Sequence, residues 1–420
     1  MKTKVLVKGP CLTQSGYGEH ARFVLRALRS REEEYDIYIN PTTWGQTGWI
    51  HEDDEFRNWM DANIIRTRQL AERSGNRLEG LFDMSLQVTI PNEWEKLAPI
   101  NIGVTAGIET TKVAPAWIQK ANQVVDKIIT ISNHSKQVYE KTIYHAQTHD
   151  EKTFQVRLEK PIDIVHYPVR EHGIDKDFNL SLDYDFNYLM VSQHGPRKNM
   201  YNAIKWWLEE NWDEEVGLIV KTSKRKNCIL DRQWMKIELK KMFDSVKLEQ
   251  DERKCKLYLL HGDLSEKQME TLYKNPKVKV MVTATHGEGF GLPLFEAAYT
   301  GIPVVAPGWS GHCDFLFMPN ENGKIKPMFL NVNYDIHPVP KEAVWDGVLQ
   351  ADSQWCYPHE GSYKQKIRQV RKSYDKWQKR AESLQSWILE EFSEEKVYND
   401  FLESISESAA QAGNFQVMVL

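Results

Sequence analysis

The 420-residue chain is poor in cysteine, in long apolar runs and in net charge, and each shortage excludes something. Its five cysteines, Cys11, Cys228, Cys255, Cys313 and Cys356, are scattered, odd in number and without a Cys-x-x-Cys pair. That argues against a disulfide framework or a structural zinc site, and for reduced thiols in a cytoplasmic protein. No apolar run approaches the ~20 residues of a spanning helix, so no integral membrane contact is expected. The opening MKTKVLVKGP reads as a strand and lacks the apolar core of a signal peptide. A formal charge of −5 creates no global basic field for nucleic acid or anionic membrane, which leaves room only for a local patch. The histidines His134, His166, His261 and His312 lack metal-ligand spacing, and no short-period repeat or low-complexity segment is visible.

What is present is enough apolar material for two cores. Hydrophobic residues make up 41% of the chain and include 14 Trp, and the length exceeds one ordinary domain. Apolar runs and helical periodicities alternate along the sequence. The first half starts with a strand (4–8), a glycine-containing loop GPCLTQSGYG (9–18) and a helix carrying Ala21, Val24, Leu25 and Leu28 on one face. Further strands are expected at 35–39, 84–90, 100–105, 127–131 and 162–166, with Ser132 capping the helix that follows the fifth of these six strands. The pattern restarts at 188–191 and continues through strands at 216–221, 256–260, 278–282 and 302–306, with a helix at 265–273 capped by Ser265. Residues 363–404 read as two closing helices. Repeated strand–helix halves predict α/β architecture: two Rossmann-like doubly wound domains facing a cleft. The expected boundaries are an N-terminal domain at 1–170, a linker at 171–187, a second domain at 188–385 and a C-terminal helix at 386–410 that crosses back to the first domain.

The stretch His286–Gly301, HGEGFGLPLFEAAYTG, lies between two of these strands and carries Glu288 and Glu296 around a Gly-Phe-Gly turn. Glycines allow close approach of backbone to a ligand, and Pro293 suits a first helical turn. Amides at such a helix start favour an anion such as a diphosphate. A carboxylate one turn inside the helix can accept both hydroxyls of a ribose, and one just before the loop can accept sugar hydroxyls. The same strand–turn–helix also serves as ordinary packing, and the residues alone leave both readings open.

The stretch HGEGFGLPLFEAAYTGIPVVAP resembles the E-x7-E signature of retaining glycosyltransferases of family 4, which have the GT-B fold. SGYGEHARFVLRAL (15–28), DKIITISNHSKQVY (126–139), IDIVHYP (162–168), GPRKN (195–199) and YLLHGDLSEKQMETLY (258–273) resemble other segments of that family in the expected order. QVTIPNEWEK (87–96) and TAGIETTKVAPAW (105–117) look like a subgroup frequent in phage genomes. The resemblance implies transfer of a sugar from a nucleotide-sugar, UDP- or GDP-linked, to a hydroxyl, with retention, no metal and no cofactor beyond this co-substrate. It implies that Glu288 orients the donor sugar and that Lys198 and Arg197 neutralise the leaving diphosphate. Glu296 would hold the ribose, and amides of Gly289, Phe290, Gly291 and Leu292 would contact sugar and diphosphate. Gly16 and Gly18 would let the N-terminal loop approach the ligand, and His286 stands beside the donor.

Two departures stand out. The family's Arg before the Lys-containing segment is replaced here by Ser192 or Gln193, which leaves Lys221 as a substitute cation. The family's His after the fourth strand is missing from AGIET (106–110), which leaves Glu109 as an acceptor-side carboxylate, with Trp44 of TTWGQTGW (42–49) as a stacking candidate. These departures motivate an inactive sugar- or nucleotide-binding relative as an alternative. A second alternative is a phage-type enzyme acting on hydroxymethylated DNA in the host cytoplasm, through the basic loop KTSKRKN (221–227) with Lys236, Lys240 and Lys241. A third is a manganese-dependent enzyme of the GT-A type using the Asp-x-Asp patterns at 175–177 or 183–185.

Overall fold

The computed structural model describes residues 2–147, 153–246 and 253–414. The chain divides into two compact units. One comprises residues 1–168, 344–353 and 394–420, and the other 169–343 and 354–393.

The first unit is built on a six-stranded parallel sheet. Its spatial order is Tyr35–Pro41, Thr3–Gly9, Met84–Val88, Ile100–Thr105, Lys127–Thr130 and Ile162–Ile164. The inner strands Met84–Val88 and Lys127–Thr130 are buried on both faces, as in parallel sheets covered by helices, and their polar residues Ser85, Gln87 and Lys127 are hydrogen-bonded. Helices Gly16–Arg29 and Asn133–Lys141 start where the hydroxyls of Ser15 and Ser132 accept the amides of Gly18 and Ser135. The winding reverses beside Thr3–Gly9, whose carboxyl end feeds the loop before helix Gly16–Arg29. Trp94, Trp117 and Tyr139 fill the core on one side of this sheet.

The second unit repeats the plan, with parallel strands ordered Lys256–His261, Gly217–Thr222, Asn187–Val191, Val278–Val282, Val304–Pro307 and Leu330–Val332. The strand order reverses between Asn187–Val191 and Val278–Val282. The crevice outside the carboxyl ends of such a strand pair is where doubly wound sheets bind ligands. Here it gathers the loops 192–199 and 283–291. Helix Glu266–Tyr273 begins with a reciprocal capping box between Ser265 and Gln268.

The C-terminal region differs from expectation. Three helices form, not two: Glu360–Lys372, Tyr374–Glu391 and Glu394–Asn414. Ser373 and Phe392 leave helical geometry, with ψ of 43° and 27°, and divide what reads in sequence as a continuous charged run. The last helix belongs to the first unit, where the buried Lys127 ammonium ties it to the sheet. Lys127 Nζ donates to Asp163 Oδ2 at 2.7 Å and to the Ser404 carbonyl at 2.9 Å. Residues 344–353, which the sequence places inside the second domain, also belong to the first unit. Lys112 pairs with Asp352 at 2.5 Å there, and Val348 and Leu349 pack on the Trp94–Trp117 cluster. The stretch 171–187 runs along the second unit, where His172 Nδ1 lies 2.9 Å from Glu266 Oε2 and Glu270 accepts the amides of His172 and Gly173. Among the described residues, no helix is long and apolar enough to cross a membrane.

Candidate functional site

In the second unit, two loops at the reversal point close on each other around one carboxylate. Strand Asn187–Val191 leads into Gly195–Asn199. Asn199 sits in the left-handed region (φ 50°), which asparagine tolerates, and its amide group donates to the Ala284 carbonyl at 3.0 Å. This turn presents Arg197 and Lys198 to the loop after strand Val278–Val282. The Arg197 carbonyl accepts the His286 amide at 2.8 Å, and Arg197 Nη1 donates to the Gly287 carbonyl at 2.6 Å and to Glu288 Oε2 at 3.0 Å. Lys198 Nζ lies 2.7 Å from both Glu288 oxygens, and Thr285 Oγ1 donates to Oε1 at 2.9 Å.

Glu288 is buried, and burial alone would raise its pKa. Lys198 and Arg197 outweigh that effect and hold it at about 2. So depressed a carboxylate is a poor general base near neutral pH, and with its oxygens taken up by four hydrogen bonds it is a poor nucleophile. What it can do is hold a fixed negative charge and accept hydrogen bonds.

The Glu288 loop is braced from a segment that the sequence did not single out. The Glu288 amide donates to Ser310 Oγ at 2.8 Å, and the Gly311 amide donates to the Glu288 carbonyl at 2.9 Å. Ser310 is buried and holds φ at 79°, a conformation that costs a non-glycine residue on the order of 1–3 kcal/mol. A Cβ on Gly311 would meet the Gly289 carbonyl at 1.8 Å, so glycine is required there. His312 donates from Nε2 to the Pro307 carbonyl at 2.7 Å.

Gly291, at φ 93°, starts helix Leu292–Tyr299. Phe290 turns its side chain into the core, with ring centroids 5.1 Å from Phe295 and 5.0 Å from Phe315, so only its backbone faces the loop. His286 is fixed by its neighbours. Its ring stacks on Trp355 at 4.7 Å, and Nδ1 donates to the Cys356 carbonyl at 2.6 Å. Burial lowers its pKa.

A second group gathers around Glu296, which accepts the Tyr273 hydroxyl at 2.9 Å. Burial lowers the pKa of Lys221, while Asp263 and Glu296 pull it up. Lys221 therefore stands within electrostatic reach of Glu296, at the carboxyl end of its own strand. Tyr273 and Asp263 lie in the segment 258–273, whose resemblance to the family points to neither residue in particular.

The Asp-x-Asp patterns are engaged locally. Asp175 Oδ1 accepts the Asp177 amide at 3.0 Å, Asp183 accepts the Tyr258 hydroxyl at 3.0 Å, and Asp185 pairs with Lys277 at 3.3 Å. Among the described residues, no cluster of three His, Cys, Asp or Glu side chains could hold a metal ion.

In the first unit, Gly18 is explained by packing: a Cβ there would lie 2.1 Å from the Thr13 carbonyl. Gly16 faces open space. Trp44 packs on Tyr17, with centroids 4.2 Å apart, and the Tyr17 hydroxyl lies 2.9 Å from Thr105 Oγ1. Burial raises the Tyr17 pKa, and the charges of Glu109 and Glu93 add to that rise. Trp44, Tyr17 and Glu109 thus form one neighbourhood of the first unit.

No protein-family model matches the chain, and no curated protein matches it. Solved structures do. HepE from Anabaena, in complex with UDP and glucose, aligns over 96% of this chain and 100% of its own, at 12% identity and a TM-score of 0.57. Sucrose-phosphate synthase from Thermosynechococcus elongatus aligns over 98% and 100%, at 10% identity and a TM-score of 0.61. A glycosyltransferase from Rickettsia africae aligns over 97% and 99%, at 13% identity and a TM-score of 0.56. At these identities the likeness is one of fold: the two doubly wound domains of the GT-B glycosyltransferases.

Proposed function

We propose that this protein is a retaining, metal-independent glycosyltransferase that moves a sugar from a nucleotide-sugar to a hydroxyl acceptor. The observation that carries the reading is Glu288, ionised and held by Lys198 and Arg197 at the strand-order reversal of the second sheet. A bare nucleotide site has no use for a buried carboxylate beside the phosphates, which it would repel. A site that also grips a sugar does, because the carboxylate accepts the sugar's hydroxyls. The UDP and glucose bound to a protein of the same fold support this choice.

In the proposed reaction the bond between the anomeric carbon and the distal phosphate oxygen breaks. The acceptor oxygen forms its bond to that carbon on the same face. The acceptor proton passes to the departing phosphate oxygen. Lys198, shared between Glu288 and the phosphate, stabilises the charge that develops there, and Arg197 keeps Glu288 in place. Amides of Gly289–Leu292 and the start of helix Leu292–Tyr299 add fixed dipoles. Glu296 receives the ribose hydroxyls, and Lys221 supplies the cation missing at Ser192 or Gln193. Glu109 and Trp44 belong to the acceptor side.

The test is a panel of UDP-, GDP- and other nucleotide-sugars, assayed for binding and slow hydrolysis in chelator. Hydrolysis of one donor without metal supports the proposal. Binding without turnover of any donor favours an inactive relative, and turnover only after manganese is restored removes the metal-free mechanism. An acceptor panel containing unmodified and hydroxymethylated DNA decides between a DNA acceptor and other hydroxyl compounds.

A further inference from the structure

Helix Ile229–Ser245 of the second unit buries Met235, Leu239 and Met242 and turns its other face to solvent. At the solvent-facing start, Ile229 is 67% and Leu230 82% exposed, and Ile237, two turns on, is 55% exposed. Apolar side chains so exposed on one helix face mark a contact surface when they cluster. Arg225 and Lys226 stand in the preceding loop and Arg232 and Lys236 on the same helix, all exposed and, among the described residues, without an ion pair, while Lys240 and Lys241 further along pair with Asp244 and Glu238. The chain as a whole is acidic, at −5, so this cationic ring is a local departure.

The surface is presented rigidly. Asp231 turns inward, where its carboxylate accepts the amides of Lys224, Arg225 and Lys226 at 2.9–3.0 Å and lies 2.8 Å from His261 Nε2. The acidic residue nearest the tip is thereby spent on shaping the loop and does not face outward. Lys224 Nζ covers one face of the Trp234 ring at 3.4 Å, which closes that face to a stacking base.

We propose that this face docks on an anionic lipid bilayer, with Ile229 and Leu230 entering the headgroup–acyl boundary and the four cations meeting lipid phosphates. Both halves of the surface are then used: apolar tips need a non-aqueous layer, and the ring needs negative charge. A second copy of the chain would bring like charges together across a two-fold axis. A nucleic acid would satisfy the cations and leave the isoleucine and leucine against phosphate and water. The docking does not depend on the donor chemistry, and none of these residues belongs to the proposed donor site.

The experiment is flotation of the full-length protein with phosphatidylcholine vesicles, with and without phosphatidylglycerol, alongside duplex DNA binding at the same salt. Wild type is expected to float only with the anionic vesicles. Arg225→Gln/Lys226→Gln should weaken partitioning about fivefold for each charge removed. Ile229→Ser/Leu230→Ser should also reduce it markedly while leaving the thermal melt and donor hydrolysis unchanged. Three outcomes would overturn the proposal: no flotation with anionic vesicles, flotation indifferent to Ile229→Ser/Leu230→Ser, or DNA binding tighter than vesicle binding.

Discussion

Lys198 Nζ sits 2.7 Å from both oxygens of Glu288, and with Arg197 Nη1 3.0 Å from one of them a single carboxylate is shared by two cations. The carboxylate is buried, whereas the lysine side chain is 17% exposed. On the proposed function, a donor phosphate would meet an ammonium that it can approach but must share.

The pair should be coupled in stability. Breaking a buried ion pair from one side costs about 3–5 kcal/mol, and less here because Lys198 is partly open to water. Lys198→Met and Glu288→Gln should each lower the melting temperature, and the double variant should lose less than the two singles combined. A double-mutant cycle from denaturant titrations checks this, and simple additivity would count against it.

Acid should act through the same group. Glu288 titrates at about 2 in the folded protein, below its ordinary 4.5. Its contribution to stability is therefore fully present above about pH 4.5 and is lost as pH falls towards 2. Thermal melts between pH 6 and 3 should show an acid-side decline that is shallower in Glu288→Gln; equal slopes would contradict the pairing.

Ser310 should separate hydroxyl from backbone. Ser310→Gly removes the acceptor for the Glu288 amide but relieves the positive φ, whereas Ser310→Ala removes the acceptor and keeps the conformation. The unsatisfied buried amide costs about 1–3 kcal/mol in both variants, and the alanine variant, strained at a positive φ that glycine adopts freely, should be the less stable by roughly 1 kcal/mol. Both should lower kcat more than they raise KM, because they loosen the carboxylate and not the ribose contact. Unchanged kcat in both variants would remove Ser310 from a positioning role.

Much of this was legible in the sequence, for local reasons. Strands such as Val278–Val282 are mostly β-branched and apolar, and Ser132 and Ser265 announce helix starts with their own side chains. The two loops of the Glu288 site are marked by glycine, proline and charge within a few residues. What was not legible depends on partners far apart in the chain. Ser310 matters because of Glu288, Tyr273 because of Glu296, and His286 is fixed by Trp355 and Cys356. Strand Leu330–Val332 is three residues long, too short to show a period. The return of 344–353 to the first unit rests on contacts with Lys112 and the Trp94 cluster that no local pattern encodes.

The last helix supplies a prediction independent of the donor site. Lys127 holds Asp163 and the Ser404 carbonyl, and Asp163 also accepts the Ser404 hydroxyl at 2.7 Å. Lys127→Met should release helix Glu394–Asn414 first, seen as faster amide hydrogen exchange at 394–408 with the sheet of the second unit still protected. Uniform acceleration across both units would mean that the contact is not local.

We propose Glu288 and Lys198 as the working centre of a nucleotide-sugar transferase. The most direct measurement is release of nucleoside diphosphate from the preferred donor, in chelator, by wild type, Glu288→Gln and Lys198→Ala, below the melting temperature of each. Wild type should turn over without added metal, and each variant should lose about 100- to 1,000-fold in kcat, the scale of one lost electrostatic contact in a transition state. Wild-type rates in Glu288→Gln would contradict the account.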